Sequence, residues 1–233
     1  VKISNLQNVF KKNSWLAIFF FASMSVILFA GCAPQFLAVI GTPTKSEQQD
    51  TAEYDLSKNK TQKILVFVDQ PTYLSDYPNL RFYLSDVINR ILRDKAKVKP
   101  ELLINYQALA DLRMKTPDFS ILTPPQIGQK LGADLVLAVT IIDCKVSELS
   151  GGVYYSGSLD AHAALYSVSS SEKLWPAAEQ SRLVQVGFES ERRGRDAAVI
   201  RLAAAAAHCV TRYLYNCPKI NFKISDERTA SGW

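Results

Sequence analysis

Ile64-Leu65-Val66-Phe67-Val68 is an unbroken run of aliphatic, β-branched and aromatic residues, the pattern of a strand buried on both faces. Asp69-Gln70-Pro71 ends it, because proline donates nothing to a ladder. The period then changes. Leu80, Tyr83, Leu84, Val87, Ile88, Ile91 and Leu92 recur at three- and four-residue steps, which predicts an amphipathic helix begun by Ser75-Asp76 and Pro78. Arg81, Asp86, Arg90 and Arg93 fall on or near its wet side. Leu102-Leu103-Ile104 predicts a short second strand, and Tyr106 to Met114 a further helix. Thr123-Pro124-Pro125-Gln126 has a hydroxyl at the N-cap, proline at the first helical position and glutamine three residues on; Leu131-Gly132 closes this short helix. Leu135 to Ile142 is a second near-continuous apolar strand.

Beyond it, alternation of strand and helix gives way to hairpins. Gly151-Gly152 separates this strand from the one starting at Tyr154, and Ser167 to Glu172 forms a second turn. Lys173-Leu174-Trp175-Pro176 followed by Ser181 to Glu189 supplies one more strand. After the charged turn Glu189 to Asp196 comes a long alanine-rich helix, from about Asp196 to Tyr215. The order is β-α-β-α-β-β-β-α: an α/β fold with a mixed sheet and helices packed on it.

Upstream of the first strand, residues 41–62 are polar, and Lys2, Lys11 and Lys12 precede an uncharged run from Ser14 to Gly31. Such a run is borderline for a membrane span, which needs roughly 20 apolar residues. The small residues Ala30 and Gly31 before Cys32 favour a cleaved secretory signal instead. Phe29-Ala30-Gly31-Cys32 resembles the lipobox of bacterial lipoproteins, with Phe29 where that family usually has leucine. The resemblance implies that Phe29, Ala30 and Gly31 are read by the signal peptidase and that Cys32 becomes the acylated first residue of the mature protein. Ala33 after the cysteine, in place of an inner-membrane retention aspartate, implies the outer membrane facing the periplasm. Each buried acyl methylene adds about 0.8 kcal/mol of anchoring, so three chains would hold the protein permanently. The expected organisation is a signal peptide over 1–31, a lipidated tether over 32–62, an α/β domain over 63–217 and a tail over 218–233. A flexible tether of that length has a typical span of about 30 Å.

Composition then narrows the partners. The formal charge of +5 comes from 27 basic and 22 acidic residues, but three of the lysines lie in the leader, leaving 24 against 22. No basic stripe for nucleic acid is expected from so even a balance.

The segment Ile127 to Leu137, a helix end followed by Gly132-Ala133-Asp134 and an apolar strand, resembles envelope lipoproteins related to CsgG, LpoB and the amino-terminal domain of TolB. Lys173-Leu174-Trp175-Pro176 resembles a later turn of the same group, and the likeness covers roughly residues 62 to 217. It implies a non-catalytic module working in assembly, secretion or cell-wall control through contacts with other envelope proteins, including copies of itself. A CsgG-like membrane barrel needs alternating strands of about 9 to 11 residues with a lipid-facing band. Around Gly151-Gly152 one parity carries Tyr155, Gly157, Leu159, Ala161 and Ala163, too small-sided for that band.

Catalytic and metal chemistry find little footing. The chain lacks the phosphate-loop pattern G-x-x-x-x-G-K-[ST] and the nucleophile elbow G-x-S-x-G, and its only imidazoles are His162 and His208. Cys209 and Cys217 have no zinc spacing, and on one continuous helix their Cα atoms would stand about 12 Å apart, too far to be joined. Cys144 is then a possible partner for either one, or none of the three pairs. No metal and no cofactor is expected. The leading expectation is a lipid-anchored assembly, secretion or scaffold accessory that binds other proteins through the sheet edge, the Gly151-Gly152 hairpin or the charged turn, with Glu191, Arg192, Arg193 and Arg195 of that turn as the candidate partner contact. The alternatives are a regulator of cell-wall synthases, as the LpoB resemblance implies, and a periplasmic hydrolase drawing on Asp69, Asp143 and His162.

Overall fold

The structure, a computed structural model, describes residues 49–218 apart from 152 and 192–193. In chain order the elements are β1 (Gln49–Asp50), β2 (Ile64–Asp69), α1 (Leu80–Asp94), α2 (Tyr106–Lys115), α3 (Pro124–Lys130), β3 (Leu135–Ser150), β4 (Tyr154–Ser167), β5 (Lys173–Trp175), β6 (Arg182–Glu191), α4 (Arg195–Thr211) and β7 (Cys217–Pro218). β2 and β3 pair in parallel, Ile64 opposite Leu135 through Asp69 opposite Thr140, so the chain between them must cross over, and it does so through α1, α2 and α3. β3 and β4 form a long antiparallel hairpin. The far edge of β4 is shared, with β5 against Leu165 and Tyr166 and β6 against Tyr155 to Ala163. The fold is thus the expected mixed α/β sheet with helices packed on it.

The two faces are covered unequally. Alternating residues Ile64, Val66 and Val68 of β2, Leu135 to Ile141 of β3 and Leu159 to Leu165 of β4 build the larger core against Leu84, Ile88 and Leu92 of α1 and the alanine face of α4. Those alanines, among them Ala198, Ala203, Ala206 and Ala207, are fully buried and let α4 lie close to the sheet. On the opposite face Leu65, Phe67, Val136 and Ala138 meet Leu109, Phe119 and Ile127. This smaller core reaches only the β2 end of the sheet. Gly128 of α3 sits tightly there: a Cβ on it would run into a methyl of Val136 and lie 2.7 Å from one of Val168. The Thr123 N–H donates to Gln126 Oε1 at 2.8 Å, completing the expected capping box, and Gly132 takes a left-handed φ of 65° just past the helix end.

Three expectations change. The strand expected at Leu102–Ile104 is a 3-10 turn at Pro100–Leu102, followed by a single parallel bridge from Leu103 to Ile64. Pro100 starts the turn, and Asn105 caps α2 by accepting from the Gln107 N–H, which leaves too few residues for a ladder. The strand expected from Lys173 onward is two, β5 and β6, with Pro176 following β5 directly. The tether boundary at residue 62 also moves. Residues 49–62 pack on the domain: Leu56 is fully buried, the Glu53 and Tyr54 N–H groups donate to the Tyr213 carbonyl, and β1 pairs with β7. Glu53 accepts from Trp175 Nε1 at 2.7 Å and from Arg182 at 2.8 Å through both carboxylate oxygens, and Arg182 in turn stacks 4.8 Å from the Tyr213 ring centre. Tyr54 and Leu56 are single apolar residues in a polar stretch, which no periodicity reveals.

Candidate functional site at the hairpin end

Past Ile141 the β3–β4 hairpin runs beyond the reach of α2 and α3. The register shifts between Ile141 and Asp143, and one face loses its cover. At the tip Leu149 is 54% exposed, Val153 42% and Tyr154 39%. The turn beside them holds Gly151 at φ 54°, a conformation that suits glycine. Three apolar side chains at a strand turn, where polar residues normally stand, cost solvation unless something covers them.

The charged turn lies at the same end of the molecule. β6 closes with Glu191 opposite Tyr155, itself opposite Glu148 on β3, so the strand ends next to the tip, and Arg195 is the first residue of α4. The Arg195 guanidinium packs 5.1 Å from the Tyr77 ring centre. Tyr77 Oη accepts from the Val146 N–H at 3.0 Å, and the Tyr73 hydroxyl donates to the Ile142 carbonyl at 2.6 Å. Gln70 Nε2 donates to the carbonyls of Leu74 and Tyr77, holding the loop that carries both tyrosines. The hairpin, the loop after β2 and the start of α4 therefore form one braced platform, with an apolar tip and, three residues before Leu149 at Val146, the tyrosine over which the Arg195 guanidinium stands. Aromatic, aliphatic and arginine side chains in one place are the composition of a protein contact.

Of the residues expected to make that contact, Arg195 stands on the platform and Glu191 ends β6, while Arg192 and Arg193 lie outside the described residues. Phe29, Ala30, Gly31 and Cys32 also lie outside them. The sequence pointed to the Gly151-Gly152 hairpin as a binding surface but not to Leu149, Val153 and Tyr154 at its tip, nor to Tyr73 and Tyr77 beneath it. Its available signal was the apolar pair flanking Gly151-Gly152.

The hydrolase residues are not assembled. Asp69 and His162 lie in one row of the sheet with Thr140 between them, two strand spacings or about 10 Å apart. His162 Nδ1 is 3.0 Å from Ser181 Oγ, and Asp143 is 2.7 Å from Lys145 Nζ. Neither the cavity between α1 and α4 nor the one beside Pro100–Tyr106 is lined by any of the three. Among the described residues no group of three or more His, Cys, Asp or Glu is placed to hold a metal, and no helix is long and apolar enough to cross a membrane. Cys144 and Cys209 are buried free thiols, and Cys217 is buried with its Sγ donating to Tyr215 Oη at 3.5 Å. Burial, with Asp143 next, pushes Cys144 up to about 12, and burial pushes Cys209 up to about 11, so both stay protonated and unreactive at neutral pH.

Comparison by sequence finds no matching family model and no matching curated protein. Solved structures similar to this chain include the lipoprotein GNA1162 from Neisseria meningitidis, 16% identical over 62% of this chain and 94% of that one, with a TM-score of 0.39. The PelC dodecamer from Paraburkholderia phytofirmans is 13% identical over 72% of this chain and 94% of that one, with a TM-score of 0.39. The LpoB C-terminal domain from Salmonella enterica is 16% identical over 55% of this chain and 85% of that one, with a TM-score of 0.33.

Proposed function

We propose that this protein is a lipid-anchored accessory of the bacterial envelope, held through acylated Cys32 at the periplasmic side of the outer membrane. It works without catalysis, as an assembly, secretion or scaffold component whose partner docks on the hairpin-end platform. The observation that carries the reading is the exposed cluster Leu149, Val153 and Tyr154 beside the charged turn that ends at Arg195. The lipobox-like Phe29-Ala30-Gly31-Cys32 supports the anchoring half.

Two measurements test the two halves separately. A photo-crosslinking residue placed at Leu149 or Val153 of the full chain in intact envelopes is expected to give a discrete protein adduct, while one at Ile121, apolar and 77% exposed elsewhere, gives none. Equal labelling at all three positions would remove the platform from the proposal. An adduct with a cell-wall synthase would select the regulatory form of the reading. For the anchor, Cys32→Ser is expected to abolish the acyl mass increment and release the protein from membranes; unchanged mass and location would overturn it.

A further inference from the structure

On the opposite side of the sheet from the smaller core, α1 and α4 diverge and leave a cavity of about 320 Å³. Its walls are Val87 and Ile91 of α1, Phe188 of β6, and Leu202, Ala204 and Ala205 of α4, with the backbone of Gly187 among them. The volume falls at the lower end of the roughly 300 to 1,000 Å³ that small-molecule sites occupy, and the walls are as apolar as such sites usually are. The charged residues among those that line it are all of one sign. Lys95 closes the end of α1, and Arg201 reaches across from α4 with its guanidinium 5.1 Å from the Phe188 ring centre. No carboxylate is among the described lining residues. The remaining polar side chains are Tyr215, whose hydroxyl accepts from Cys217 Sγ at 3.5 Å, and the His208 imidazole, which burial, with Arg212 next, pushes down to about 4, so it is neutral at physiological pH and adds no charge to the apolar part.

An apolar cavity whose charged residues among the described lining, Lys95 and Arg201, are both cationic is complementary to a molecule with an apolar body and one anionic end. We propose that the α1–α4 cavity binds a single aliphatic chain carrying an anionic head group, the chain lying against Val87, Ile91, Phe188 and Leu202 and the head group beside Lys95 and Arg201. A free fatty acid and a single-chain phospholipid share that chemistry. The site shares no lining residue with the hairpin platform.

Titration of the full-length protein with dodecanoate, below its micellar concentration and followed by calorimetry, tests the assignment. Saturable binding of one molecule per chain is expected, with affinity rising roughly fourfold per methylene from the eight- to the twelve-carbon acid as each is buried. Ala205→Trp, which fills the cavity from a half-buried position, is expected to weaken binding at least about tenfold; Ala204→Trp, at an exposed lining position, gives the same test if the first variant does not fold. Lys95→Glu is expected to weaken dodecanoate by about five- to tenfold and to leave dodecanol unchanged. A single-chain lysophospholipid run in parallel separates the two sources by which binds more tightly. Equal affinity for dodecanoate and dodecyltrimethylammonium would overturn the anionic assignment. Absence of saturable binding, or binding that survives both tryptophan variants, would overturn the site and leave the cavity to a polypeptide occupant.

Discussion

Strand β3 passes through two environments within sixteen residues. From Leu135 to Val139 every residue is buried, because α1 and α4 cover one face and α2 and α3 the other. From Thr140 onward only one face is covered: Ile141 and Cys144 stay buried, while Thr140, Ile142 and Lys145 are exposed. By Leu149 neither face is covered. The amino acids follow the helices. An unbroken apolar run marks the span that helices sandwich, and alternation marks the span they cover once. Apolar residues that reappear beyond both, as Leu149, Val153 and Tyr154 do, belong to neither core of the described residues and stand exposed.

The difference can be broken from the inside first. Leu137→Ala removes a fully buried side chain from the sandwiched span and is expected to cost about 2 to 5 kcal/mol in urea unfolding. A loss below about 1 kcal/mol would show that this end of the sheet can collapse into the space. Gly128→Ala acts at the same end from the other face. Its new methyl meets Val136 and Val168, and the expected cost is about 1 to 3 kcal/mol of overpacking.

A pH series probes the packing of α4 against α1. The His208 imidazole is held down to about 4, against an ordinary 6.5, by burial and then by Arg212. Since the unfolded chain takes up this proton first, the contribution to stability is intact above pH 6.5 and is lost as the pH falls toward 4. Urea midpoints at pH 7 and pH 5 are expected to show that loss, and His208→Gln is expected to lessen the difference between them. An identical pH dependence in the variant would show that the imidazole is protonated in the folded protein. The smallest stability effect belongs to the hairpin tip. Leu149→Ser is expected to stay within about 0.5 kcal/mol of the parent, since the side chain is more than half exposed. The same change is expected to remove the partner adduct captured through Val153. Parent-like capture would separate the tip from the function proposed for it.

Much of the architecture was legible because it depends on local chemistry. β2 and β3 announced themselves as continuous apolar runs, α1 by its three- and four-residue period, and α3 by its capping residues and Gly132. What failed locally was decided by partners distant in sequence. Leu102-Leu103-Ile104 has strand composition but only Ile64 to bridge to, and Tyr54 and Leu56 look like tether until α4 and the turn after it receive them. The candidate site was half legible: the density of charge at Glu189 to Asp196 marked the turn, but nothing in one dimension brings it beside Leu149 or brings Tyr77 under Arg195.

The sequence by itself determined the class of fold and the β3–β4 hairpin, because each is written in neighbouring residues whose period or turn chemistry has one physical reading. Tertiary structure alone decided where the helices stop covering the sheet. It thereby left Leu149, Val153 and Tyr154 in water while burying Leu56, and it opened an apolar cavity between α1 and α4. Burial is a property of what the rest of the chain places nearby, and an apolar side chain carries no record of whether it will be covered.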